Sequence, residues 1–243
     1  MTPIQVLTAK MLSSNVTGTV WNPTPNDDVI DQYVGACGDM NDYMRKNSDQ
    51  PIELKPKDLP NDLLELCNKI ENCSGQQNSL WYFIRDSATC VRFTRFLVNF
   101  EHGSPIHHPL GLYDSETDII CVATCREGYD LDVPSVLSTL IHECCHCRFS
   151  KEAKRAGVPF DVDLCLRNER LALIASYATF EVLQRVLPNY RQDALLNEMK
   201  STIEDMNRKL TISDGDWLPT TKTERLVAKS LPQFICSHLN KKH

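Results

Sequence analysis

The side chains best suited to chemistry stand together in His142-Glu143-Cys144-Cys145-His146. Two imidazoles four residues apart on a helix are offset by about 40° around the axis and about 6 Å along it. They leave the same face and can share one metal ion. The glutamate beside the first histidine is placed to take a proton from water held by that ion. A random ordering of the same residues would give this pattern in about one chain in a hundred, so the flanking sequence has to add weight. Leu137, Leu140 and Ile141 precede it and Cys147 and Phe149 follow, which suits a buried helix better than a polar loop. Asp132, Pro134 and Ser135 supply a helix start, and no Gly or Pro interrupts the run until Gly157 and Pro159. The competing reading is a core helix whose two histidines are merely hydrogen-bonded.

A catalytic zinc takes three protein ligands and leaves a fourth position for water. Glu169, within Asn168-Glu169-Arg170-Leu171-Ala172-Leu173-Ile174-Ala175, is the first choice for the third ligand. It opens a long apolar helix, where a buried carboxylate needs a partner such as a cation. The bland reading leaves Glu169 facing solvent beside Arg167 and Arg170. Asp161 and Asp163 remain open as alternatives, and His107 or His108 could approach from a loop. Cys144 and Cys145, between the histidines, read as small apolar packing residues, with a redox-sensitive thiol near the metal as the minority reading.

With these residues in view, the chain resembles the zincin metallopeptidases, specifically the gluzincin group to which thermolysin belongs. The resemblance rests on His142-Glu143-x-x-His146, on Asn168-Glu169-x-x-Ala172, and on Leu112-Tyr113-Asp114 with Asp118-Ile119-Ile120 upstream. It spans Leu112 to Val186 and leaves out the first hundred residues and the last fifty. It implies Zn2+ as cofactor, His142, His146 and Glu169 as metal ligands, and Glu143 as general base. It implies an endopeptidase acting on a protein or peptide substrate. One departure matters: thermolysin-like enzymes place an aspartate four residues after the glutamate ligand, hydrogen-bonded to the first histidine, and Leu173 stands there. The partner of His142 must therefore come from elsewhere. Peptide deformylases pair the same motif with Glu-Gly-Cys, whereas this chain has Glu127-Gly128-Tyr129. A zincin-shaped binding protein without hydrolytic activity is a further alternative, although an intact Glu143 has no use there. Tyr177, Tyr190 and His238 are the candidates for a second electrophile that steadies an oxyanion. Substrate is expected to lie extended against an exposed edge formed by Ile119–Ala123.

The elements that must hold these residues follow from periodicity. Apolar spacing predicts helices over Asp27–Lys46, from Pro60-Asn61-Asp62 through Leu63, Leu66, Cys67 and Ile70, and over Val162–Leu187, Arg191–Leu210 and Lys222–Leu239. Breaks fall at Pro188 and at Asp214-Gly215-Asp216. Ser79–Arg85 reads as a strand, and Cys90–Phe100 fits either helix or strand. Glu101–Pro109 reads as a turn-rich loop, followed by two short strands around the polar turn near Asp118. The expected fold class is α+β and mainly helical. A small antiparallel or mixed sheet lies over the active-site helix, with additional helices at both ends. One domain is expected over residues 1–243, with an N-terminal part at 1–100, a zincin-like core at 105–187 and C-terminal helices at 188–243.

Composition sets the outer bounds. The 243 residues are 42% hydrophobic, enough for a sizeable core, and the net charge of −6 is spread without a basic stripe. Nucleic acid is therefore a poor partner, and no apolar stretch approaches the ~20 residues that span a bilayer. Eleven cysteines without a signal-peptide pattern at the N-terminus suit reduced thiols in a cytoplasmic location, in the producing cell or in a host into which the protein is delivered.

Overall fold

The structure is a computed structural model that describes residues 52–75, 79–94, 99–101, 104–107, 110–126, 129–159 and 161–239. The expected helix Asp27–Lys46, the histidines at 102 and 108, and Glu127-Gly128 lie outside the described residues. The described chain is mainly helical with a small mixed sheet. Strand β1 (Ile52–Leu54) leads through a short 3-10 turn, Pro56–Asp58, into helix α1 (Asn61–Ser74) and helix α2 (Ser79–Arg85). Strands β2 (Cys90–Thr94), β3 (Asn99–Glu101), β4 (Ser104–His107), β5 (Gly111–Asp114), β6 (Ile119–Ala123), β7 (Cys125–Arg126) and β8 (Tyr129–Asp130) follow. The chain then becomes helical: α3 (Val133–Arg155), α4 (Val162–Val186), α5 (Asp193–Lys209), α6 (Lys222–Ala228) and α7 (Gln233–Leu239).

The main sheet has the order β1-β2-β6-β5. β2 and β6 run parallel, with Cys90 opposite Ile119 and Thr94 opposite Ala123, while β1 and β5 pair antiparallel at the two edges. Ile119–Ala123 is therefore an interior strand, paired on both sides, and cannot accept an added peptide as expected. Among the described residues, the edge strand near the motif is β5. Alternation along the sheet sends Val91, Phe93, Ile120 and Val122 into the same core as Leu137, Leu140, Ile141 and Cys144 of α3.

Three other readings change. Ser79–Arg85 is a helix despite its β-forming aromatic residues. The buried Glu71 carboxylate accepts from the backbone N–H groups of Leu80 (2.9 Å) and Trp81 (3.0 Å), occupying donors that a helix start leaves open. Leu80, Phe83 and Ile84 then share one buried face at helical spacing. The turn-rich segment 101–109 contains half of a hairpin, β3 against β4. The last expected helix splits into α6 and α7 around Pro232, whose ring cannot continue a helix interior. The ambiguous run from Cys90 resolves as a strand over Cys90–Thr94 because it joins the sheet between β1 and β6.

Helix α3 starts where the sequence places it: the Asp132 carboxylate accepts from Ser135 N at 2.7 Å, and Pro134 sits in the first turn. It ends at Gly157, whose φ of 65° takes the left-handed turn that a side chain would disfavour. Helix α4 repeats the start, with Asp161 accepting from Leu164 N at 2.8 Å. It is buried on nearly every side. Ala172, Ala175, Ala178 and Thr179 keep its flanks narrow, which lets neighbouring helices come close. No helix among the described residues is long and apolar enough to cross a membrane.

Arg170, the residue after Glu169, is fully buried. Its guanidinium donates to Asn207 Oδ1 of α5 (2.6 Å), to the Asp216 carbonyl (2.8 Å) and to Glu224 Oε1 of α6 (3.3 Å). The other Glu224 oxygen accepts from Thr220 N and Thr221 N, completing a capping box at the start of α6. This knot ties α5, α6 and the loop between them to the helix that carries Glu169. Replacing Arg170 by Met would take the buried donors from Glu224 Oε1, Asn207 Oδ1 and the Asp216 carbonyl, leaving Glu224 only Arg167 and its cap donors, and a loss of about 3–5 kcal/mol in urea denaturation is expected. A loss below about 1 kcal/mol would show the knot to be incidental.

Candidate metal centre

Two long helices present the site. α3 places His142 and His146 on one face, and the next helix, α4, returns against that face. The short link between them (residues 156–161) forces this return. The imidazole Nε2 atoms of His142 and His146 lie 2.9 Å apart. Glu169 of α4 brings its Oε1 to 3.5 Å from His142 Nε2 and its Oε2 to 3.2 Å from His146 Nε2. Donor atoms bound tetrahedrally to one zinc at about 2.0–2.1 Å stand roughly 3.3 Å from each other. The observed separations of 2.9, 3.2 and 3.5 Å straddle that value, so such an ion asks the two imidazoles only to part by about 0.4 Å.

The hydrogen bonding gives a second, independent sign of fit. Buried side-chain oxygens and nitrogens are nearly always satisfied. Among the described residues, those lacking a hydrogen bond of good geometry are His146 Nδ1, Asn168 Oδ1, both carboxylate oxygens of Glu169, and Tyr190 Oη. Four of the five belong to this one cluster. A carboxylate only 1% exposed and without hydrogen-bond donors is costly unless a cation sits beside it.

Electrostatics separate the two carboxylates. Burial opposes the charge of Glu169, yet the two histidines hold its carboxyl below the usual range, so it stays anionic. Burial also pushes Glu143 up, to about 7, against the pull of His146 and of the Tyr113 backbone N–H. A carboxyl group poised near neutrality can take up and give back a proton, whereas a permanently ionised one suits a ligand. Burial holds the neighbouring His142 neutral, down at about 4. For His146 the burial cost is outweighed by Glu169, which raises it to about 9. A proton on His146 thus supplies the counter-charge to Glu169, and a metal ion would compete for the same place. The carboxylate of Glu143 also lies within 4.8 Å of both histidine donors, so His142, Glu143 and His146 form a compact group in their own right. Its surroundings differ from those of Glu169: it rests on strand β5.

That contact explains a glycine. A Cβ at Gly111 would stand 2.6 Å from Glu143 Oε1 and 2.7 Å from both Glu143 Cγ and Thr139 Cγ2. Backbone, and nothing larger, fits between the strand and the glutamate. The sequence contains this constraint only as an unremarkable glycine before Leu112-Tyr113.

Other candidates fall away from the centre. Asp161 caps α4 and Asp163 pairs with Arg167, both on the exposed side of the first turn. Tyr177 packs edge-on against Trp217 and near His238. His238 Nδ1 donates to the Phe234 carbonyl, its Nε2 lies 2.8 Å from the Glu181 carboxylate, and Tyr190 stacks on Phe180. All three are engaged in joining α4 to the C-terminal helices. The side chain of His107 lies outside the description. Cys144 and Cys145 are fully buried in the core, with burial raising both thiols well above their ordinary range, as their packing role requires.

The residue that sequence reasoning missed is Ser176. Its Oγ lies 3.1 Å from His142 Nδ1, and the Ala172 backbone carbonyl also bonds that ring. Ser176 is seven residues past Glu169, where its weak polarity in an apolar helix gave no cue.

If the strand-to-glutamate fit is as tight as the distances indicate, Gly111→Ala overpacks it and costs about 1–3 kcal/mol in chemical denaturation. Unchanged stability would show that β5 can move away freely.

Comparison of the chain with protein-family models, with curated proteins and with solved structures returns no match, so the geometry alone carries the functional reading.

Proposed function

We propose that this protein is a zinc-dependent endopeptidase acting on a protein or peptide substrate. The observation that carries the reading is the convergence of the partly buried His142, the buried His146 and the buried carboxylate of Glu169, with a second, differently tuned carboxylate alongside. In this reading His142, His146 and Glu169 hold the ion. A bound zinc supplies a Lewis acid that polarises a substrate carbonyl and lowers the pKa of water from 15.7 to about 7.

The chain's own groups do the remaining work. Glu143 takes the proton of the attacking water and hands it to the departing amine, a task that its pKa near 7 suits. The Tyr113 N–H and the bare backbone of Gly111 keep the Glu143 carboxylate from swinging away. Ladder bonds alternate along an antiparallel strand, and Ala123 N donates to the Leu110 carbonyl. Gly111 and Tyr113 therefore turn their backbone groups away from β6, toward the free edge. An extended substrate segment adds along that edge, beside Glu143 and in register with it. Of the histidines, His142 retains the larger exposure, so the site opens on its side. Buried thiols at Cys67, Cys144, Cys145 and Cys147 suit a reducing cytosolic setting.

Purified protein is expected to carry one zinc per chain by elemental analysis. Glu169→Ala should abolish tight zinc binding, whereas Asp161→Ala and Asp163→Ala should retain it. A folded wild-type protein that takes up no zinc would end the metal reading.

Glu143→Gln should keep zinc and fold while lowering hydrolysis by about 10²–10⁴-fold. The comparison to make is of peptide fragments from a cell lysate treated with the wild type and with this variant. Identical fragment sets would show that Glu143 is not the proton carrier.

A further inference from the structure

We infer that Ser176 is the positioning residue for His142: its hydroxyl, with the Ala172 carbonyl, holds the ring in the tautomer and orientation that aim Nε2 at the metal centre. The inference rests on the metal reading above and concerns a feature that the sequence motif does not contain.

A neutral imidazole carries one proton, on Nδ1 or on Nε2, and only the unprotonated nitrogen can bind a metal. A backbone carbonyl can only accept a hydrogen bond. A metal held through Nε2 requires the proton on Nδ1, and the Ala172 backbone offers the ring a carbonyl acceptor. Ser176 Oγ, 3.1 Å from the same Nδ1, accepts alongside it. At the other end of the ring, Nε2 faces His146 Nε2 at 2.9 Å and Glu169 Oε1 at 3.5 Å. Both ends of the imidazole are thus specified.

The register of α4 makes this possible. Asn168, Ala172 and Ser176 succeed one another at four-residue steps and therefore line one face. Asn168 sits at the His146 end of that face, where its side chain interacts with the His146 ring. Ser176 sits at the His142 end. One helix supplies the third ligand and orients the first. Leu173, at the position where the resembling family carries an aspartate, points into the hydrophobic core. The hydroxyl at Ser176 performs the orienting role without adding a charge. A third carboxylate here would have joined Glu143 and Glu169 in the same dry volume, where like charges repel strongly. A neutral acceptor avoids that repulsion.

The bland account is that Ser176 is a small residue chosen so that α4 can approach α3. The two accounts part in what they predict for metal binding. Loss of an outer hydrogen-bond partner typically weakens metal affinity by 10–100-fold, roughly. Ser176→Ala keeps the small volume, so packing alone predicts no change in affinity. The measurement is zinc affinity by competition with a chromophoric chelator, together with the melting temperature of the metal-free protein. The inference expects Ser176→Ala to bind zinc about tenfold or more weakly, with the metal-free melting temperature close to wild type. Ser176→Cys, which preserves shape but is a weak acceptor, should weaken zinc binding in the same direction and keeps the test usable if the alanine variant folds poorly. Affinity within about twofold of wild type in the folded variants overturns the role of Ser176 and leaves the metal centre intact. A wild type that binds no zinc instead overturns the centre itself.

Discussion

The structure turns on a buried negative charge. Glu169, 1% exposed, sits between two imidazoles whose Nε2 atoms lie 3.5 and 3.2 Å from its carboxylate oxygens. Such a group is stable only with a positive charge in contact. The chain can supply one as a proton on His146, and the spacing of the donors matches what a divalent cation would require. Much of the surrounding architecture serves to keep that carboxylate in place. Helix α4 is narrow where it meets α3, and Arg170, the very next residue, is locked into α5 and α6 from the other side. The helix can neither rotate nor withdraw without breaking one of these two polar clusters.

The sheet acts on the other carboxylate. Strand β5 is short and has a free edge, yet its position relative to α3 is tightly set. The Tyr113 hydroxyl donates to Asp118 at 3.0 Å, and Asp118 also pairs with Lys151 of α3 at 2.8 Å. Thr89, at the entrance to β2, adds two more bonds to the same aspartate. Asp118 adopts a φ of 57°, an uncommon conformation for a residue with a side chain, and these several bonds hold it there. The hairpin turn is thereby fastened to the metal-centre helix, and Gly111 is carried to within contact of Glu143. Two carboxylates a few ångströms apart thus acquire opposite properties, one kept ionised by histidines and one raised toward neutrality by burial.

Local sequence signals were legible wherever a short segment determines its own conformation. Asp132 caps α3 as its local context predicts, whereas Asp161, an alternative to Glu169 as a ligand, caps α4. The hairpin over Gly111–Asp114 and Ile119–Ala123 reads directly from its polar turn. Misreadings occurred where distant groups override local preference. Ser79–Arg85 is rich in strand formers, but Glu71 from the preceding helix captures its first N–H groups and a helix results. The burial of Arg170 has no local signal, because its partners Asn207, Asp216 and Glu224 come from 37, 46 and 54 positions later.

The amino-acid sequence by itself determined that His142, Glu143 and His146 share a helix, because a 3.6-residue repeat, a cap and an absence of breakers are local properties. It also nominated Glu169, since an acid in an apolar stripe is conspicuous. Only the tertiary structure decided that Glu169 reaches both histidines while Asp161 and Asp163 do not. It likewise decided that β5 and not β6 forms the free edge, and that a serine takes the place beside His142. Each of these depends on how closely two separate elements approach and in what register. That is fixed by side-chain volumes across the whole interface, and no window of neighbouring residues contains it.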